Sequence, residues 1–214
     1  MKKISSKNLR NSIAGVALAL SLGIAAPAHA APSVQLTYGV TQVALSSDFV
    51  GALGSLGVTP DNILPGSLYV TSRGARAAFP IPTGELDANG PKLEILHSGG
   101  LTLTAGGTRV ALSSFIIENL GGALQLTGVV KVNNDIVGRI PLFNVALTEA
   151  PELTTSPSGK LPGRSTKLSV EGANVTLTAT AASALNGVFG VSAFTEGFPI
   201  GVAQINARVS DLDK

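Results

Sequence analysis

From residue 33 onward, apolar and polar residues alternate in short runs with a period close to two. The runs SVQLTYGVTQVAL, PGSLYVTS, RAAFPI, KLEILHSGGLTLT, TRVALSSFIIE, ALQLTGVVKV, IVGRIPLFNVAL, KLSVEGANVTLT and GVAQINARVS have strand length and are bounded by turn residues. Two segments follow a helical spacing instead. Phe49, Leu53 and Leu56 recur behind Ser46 or Ser47, and Ala181, Leu185 and Val188 recur behind Thr178. Each predicts a short amphipathic helix opened by a hydroxyl cap. The two also resemble one another, VALSSDFVGALGSLGV against VTLTATAASALNGVFGV, as in a weak duplication of a strand–helix–strand unit. Asn133 to Asp135 suits a tight hairpin, PTGELDANGPK reads as a loop turning at Asn89-Gly90, and residues 151–166 read as a mobile polar loop. The pattern predicts a mainly β protein, an antiparallel β-sandwich with two short helices.

Within KLEILHSGGLTLT the odd positions Leu93, Ile95, His97, Leu101 and Leu103 form an apolar row, while Lys92, Glu94, Ser98, Thr102 and Thr104 form a polar one. His97 therefore points with the core, provided that Gly99 and Gly100 do not reset the face with a bulge. Those glycines suit the close approach of a ligand or of another backbone. Two readings of His97 stay open: a half-buried ring satisfied by backbone, or a polar group aimed into an apolar pocket.

The first thirty residues change the picture of charge. Lys2, Lys3, Lys7 and Arg10 precede the apolar run IAGVALALSLGIAA and then PAHA, the layout of a cleaved export signal ending before Ala31. The run falls short of the ~20 residues that a spanning helix needs. Of 15 Lys and Arg and 13 Asp and Glu, the leader takes four basic residues and no acidic one, leaving 11 against 13. The basic excess therefore belongs to the leader, and no patch remains for nucleic acid or anionic lipid. Residues 31–214 fit one domain. They lack Cys, Trp and Met, and His97 is their only histidine, so an exported chain must hold itself together by burial alone.

The order YGV (38–40), FPIPTGELD (79–87), LEILHSGGLTLT (93–104) and VTLTATAASALNGVFG (175–190) resembles the HtaA-type domain of secreted bacterial haem-uptake proteins. The resemblance implies a β-sandwich with two short helices and a haem pocket in which a tyrosine binds iron and a histidine supports it. His97 matches that histidine. The family's tyrosine lies in the first helix, where this sequence reads DFVGAL; Tyr38 stands at the family's opening aromatic.

Other chemistries find little support. One histidine and no cysteine exclude a structural zinc site, and no Gly-x-Ser-x-Gly elbow accompanies a triad. Glu85 and Asp87, beside a turn, read as a solvated pair before a calcium site or an acid/base pair. An outer-membrane barrel of eight strands fits the length, but the seven Phe and two Tyr are scattered and form no girdles. The expectation is an exported, non-enzymatic binding module for haem or another apolar small ligand, with His97 in the pocket beside Tyr38 or Tyr69. It works in the periplasm, at the surface or outside the cell, without stable membrane insertion. The alternative is a structural or adhesive surface protein whose partner is another protein.

Overall fold

The computed structural model describes residues 33–71, 74–87, 92–157 and 164–210, all within one compact unit. The expected leader and the Asn89-Gly90 turn lie outside these residues. β1 (Ser33–Leu45) leads into α1 (Ser47–Ser55), followed by β2 (Thr59–Ile63), β3 (Ser67–Thr71), β4 (Gly74–Ile81) and β5 (Thr83–Asp87). Then come β6 (Leu93–Leu96), β7 (Gly100–Ala105), β8 (Thr108–Leu120), β9 (Ala123–Val132) and β10 (Asp135–Ala146). β11 (Glu152–Pro157), β12 (Arg164–Leu177), α2 (Ala179–Phe189) and β13 (Pro199–Val209) complete the order.

The expected sandwich is a barrel. Antiparallel pairing runs β1-β13-β12-β10-β9-β8-β6-β5 and back to β1, closing eight strands. The closing seam joins the first and last strands, with Gln42 opposite Gln204. Alternation reports one buried face per strand, and that is common to sandwiches and barrels, so only this long-range pairing separates them.

Two long strands change partner along their length. β1 pairs with β5 through Ser33–Leu36 and with β4 through Gly39–Ala44. β8 likewise pairs with β6 near Ile117 and with β7 from Thr108 to Ser113. One half of the barrel is thus sealed by β5 and β6. In the other half, β4 carries β3 and β7 carries β2 as branches. Leu36, Ile81, Ile95, Leu168 and Val170 fill the sealed half. The apolar faces point inward, the reverse of a lipid-facing barrel with a polar lumen.

Both helices sit over the branched half. Ser46 caps α1, its Oγ accepting from the Phe49 amide at 3.0 Å and donating to the Pro199 carbonyl at 2.7 Å. Thr178 caps α2, accepting from the Ala181 amide at 3.1 Å and donating to the Pro141 carbonyl at 2.8 Å. Each cap satisfies an orphan helix amide and also ties the helix to a strand. The likeness of the two units ends there: β13 returns beside β12, whereas β2 pairs with β7.

The Asn133–Asn134 hairpin is as expected, with both residues at positive φ (50° and 77°). Three strands depart from expectation: β2 (TPDNI), β5 within the expected turn loop, and β11 within the expected mobile loop 151–166. None carries a clean apolar alternation, and every residue of β11 is exposed. KLEILHSGGLTLT, expected as one strand, is broken at His97–Gly99. There Gly99 adopts φ +85° against the Gly66 backbone, and a Cβ on Gly100 would strike the Leu112 carbonyl. Gly100→Ala should therefore destabilise the fold by about 2–4 kcal/mol through a forced shift of β7 against β8. Gly51→Ala, in α1 with open space around it, should stabilise by about 0.5–1 kcal/mol. Urea titration of both variants checks the pair, and equal effects would contradict this packing.

Candidate functional site

The break between β6 and β7 places His97 at mid-barrel. Its amide donates to the Phe115 carbonyl at 2.8 Å, and the Ser98 amide donates to the Pro80 carbonyl at 2.9 Å. A bulge in β8 between Ser113 and Ile116, with Ser114 at φ +53°, accommodates the lost register opposite. The row keeps its direction, since His97 (5% exposed), Leu101 and Leu103 line one space, but Thr102 of the expected polar row is buried as well. The close backbone approach expected at the glycines is made by Gly66.

The His97 ring hydrogen-bonds through Nε2 to Thr41 Oγ1 at 2.7 Å, and both residues are buried. Nδ1 is buried and makes no hydrogen bond of ordinary geometry. The carbonyls of Phe115 and Ile95 face the ring and favour its protonated form, but desolvation outweighs them and pushes the His97 pKa down to about 4. At neutral pH the ring is uncharged.

Above His97, toward the helices, lies a cavity of about 100 Å³. Thr41, Ile117 and Ile205 sit with His97 at its sealed-half end, and Phe79 and Phe115 pack edge to face beside them at 5.2 Å between centroids. Phe49 of α1 and Ala181, Leu185 and Val188 of α2 close the other end. No polar atom presents surface to the space, so Thr41 and His97 offer it only carbon. The polar atoms of the pair are turned into the wall, and the void is a dry hydrocarbon pocket by composition.

The two tyrosines are not brought to this pocket. Tyr38 is 68% exposed and Tyr69 57% exposed, both on the outside of the barrel. For Tyr38 the reason is a bulge in β1 between Leu36 and Tyr38. It ends the row Val34–Leu36–Tyr38 and turns Gly39, Thr41 and Val43 inward instead. Sequence reading missed Thr41 for the same cause, and Phe79 and Phe115 because nothing local marks which buried phenylalanines meet. Phe49 was legible as the inward face of α1. Glu85 is engaged by Lys92 at 2.6 Å, which lowers its pKa; Lys92 is exposed and Glu85 half-buried. Among the described residues no cluster of three or more potential metal ligands occurs, and no helix is long and apolar enough to cross a membrane.

No family model matches the sequence, and no curated protein matches it. Among solved structures, the chain is similar to the C-terminal domain of HtaA from Corynebacterium glutamicum. The identity is 14% and the TM-score 0.56, over 83% of this chain and 99% of that domain. The N-terminal domain of the same HtaA gives 15% identity and a TM-score of 0.51, over 82% and 99%. The heme binding protein HtaB of that organism gives 12% and 0.49, over 84% and 96%. The resemblance to the HtaA-type domain, legible in short sequence motifs, extends to the whole fold.

Proposed function

We propose that this chain is an exported, non-enzymatic binding module that holds a small apolar ligand inside its barrel. The observation that carries the reading is the carbon-walled cavity of about 100 Å³ beneath α1 and α2. Apolar cavities of about 150 Å³ stay dry and take up benzene or xenon, so a void of this kind favours a compact hydrocarbon group. No nucleophile, acid/base pair or metal cluster among the described residues faces it, which favours binding over chemistry.

Haem, which the HtaA resemblance implies, does not fit these residues. The first helix reads DFVGAL and has no tyrosine where that resemblance calls for the iron-binding one, and it presents Phe49 to the cavity. Tyr38 and Tyr69 lie outside. The His97 Nε2 is engaged by Thr41, and the void is well below the roughly 300 Å³ at which pockets for drug-sized ligands begin.

A carbon-walled pocket also requires His97 to stay neutral. Its folded-state pKa of about 4 lies below the ordinary 6.5. The unfolded chain therefore takes up a proton that the folded chain refuses as pH falls from about 6.5 to about 4. Stability is complete above that window and should fall through it by up to about 3 kcal/mol. Denaturant titrations of wild type and His97→Gln across the window read this directly; a parallel pH dependence in the two would refute it.

The ligand reading is tested with benzene and with haemin on the purified protein. Benzene should raise the wild-type melting temperature, and Ala184→Leu, which adds volume to the wall, should abolish the shift while preserving the circular dichroism spectrum. Haemin should leave its Soret band unshifted. No benzene response would remove the apolar-ligand reading, and a Soret shift lost in His97→Ala would replace it with haem.

A further inference from the structure

The two halves of the barrel are closed differently. In the sealed half β5 pairs with β6. In the other half β4 and β7 take their places, and among the described residues no ladder joins those two strands. β4 pairs with β1 and β3, and β7 with β2 and β8. The cavity lies against this unladdered stretch, since Ala77 and Phe79 of β4 and Leu101 and Leu103 of β7 line it.

The break at His97–Gly99 stands at the foot of that stretch. It is tied to β4 by the Ser98 amide on the Pro80 carbonyl and to β8 by the His97 amide on the Phe115 carbonyl. Outside it lies a groove of about 420 Å³, to which Leu64, Pro82, Leu96 and Ile116 give an apolar lining. Arg139 borders the same groove, with its Nη1 held by Thr127 Oγ1 at 3.0 Å. His97 and Phe115 line both the groove and the cavity, so these two residues are the partition between outside and inside. A second outer groove, beside Tyr69 and Arg76, shares only Ala77 with the cavity. Ala77 is laddered on both sides, opposite Val43 and Leu68, and the wall there is continuous.

We propose that the His97–Gly99 break is a side portal, through which the cavity's apolar ligand enters and leaves as the His97 and Phe115 rings swing aside. The proposal rests on the reading of the cavity as a binding site. Local opening is least costly where few backbone hydrogen bonds must break, and the stretch between β4 and β7 has no ladder to break. The swing of the imidazole gives up one side-chain bond, from Nε2 to Thr41. Leu64, 81% exposed, offers an apolar first contact at the mouth. The other end of the cavity lies under helices whose caps are bonded to the Pro199 and Pro141 carbonyls. Entry there has to loosen α1 or α2 from the strands.

A residue on the path but off the binding site changes association and dissociation by one factor and leaves the dissociation constant alone. Exchange of fluorobenzene, followed by fluorine NMR on the purified protein, reads both rates. Ser98→Trp, which fills the groove, should slow both about tenfold at unchanged affinity. Leu64→Trp, at an exposed position, should slow both in the same sense, and Ser183→Trp, on the exposed side of α2, should leave both as they are. Wild-type rates in the two groove variants, or slowing by Ser183→Trp alone, would overturn the portal while the cavity reading stands. A wild type that binds no fluorobenzene would overturn both.

Discussion

The pairing of β1 with β13 is the constraint on which the rest of the molecule hangs. It joins strands from opposite ends of the chain, and it converts a twisted sheet into a closed wall. Closure abolishes two edges and forces the inward side chains of eight strands into one space. That space is too wide to be filled evenly. The sealed half takes Leu36, Ile81, Ile95, Leu168 and Val170, and the residue of volume collects beneath the helices as the cavity. The two helix caps finish the arrangement, since Ser46 and Thr178 bind carbonyls of β13 and β10 as well as their own helix amides.

His97 owes its position to that geometry. β8 changes partner from β7 to β6 just where the β6–β7 strand breaks, and the bulge at Ser114 absorbs the mismatch. The imidazole therefore falls at the junction of the filled and hollow halves. There it bonds to Thr41 on β1, one strand beyond β4, and shows the cavity only carbon. A neutral ring costs little in such a wall. A charged ring would cost several kcal/mol without a carboxylate partner, and none lies against it. The ring is thus fully buried and bonded on Nε2 to the Thr41 side chain, and it lies at the edge of an apolar pocket with its polar atoms turned away from the space.

The legible part of the fold was whatever repeats locally. Strand runs, both hydroxyl-capped helices and the Asn133–Asn134 hairpin follow from spacing and turn chemistry within a dozen residues. The inward direction of His97 followed from the parity of its row. What escaped was non-local or irregular. Barrel closure depends on residues more than a hundred and fifty positions apart, such as Gln42 and Gln204. The β1 bulge moved Tyr38 to the outside and Thr41 to the inside without any glycine or proline at its turning point. β2, β5 and β11 pair on one side or sit at a rim, so selection on their side chains leaves no alternation to read.

The same topology separates what fixes the fold from what fixes the pocket. The fold is specified by the closing seam, the strand exchanges at β1 and β8 and the two caps, all of which are backbone pairing or hydroxyl-to-carbonyl bonds. The pocket is specified by a few side chains that those features merely aim inward. Phe49 lies on the buried face of α1 and reaches the cavity, while the helix start rests on the Ser46 cap, so a change of side chain at Phe49 alters the wall and leaves the cap in place. A barrel of this construction therefore keeps its architecture while the side chains of its wall vary.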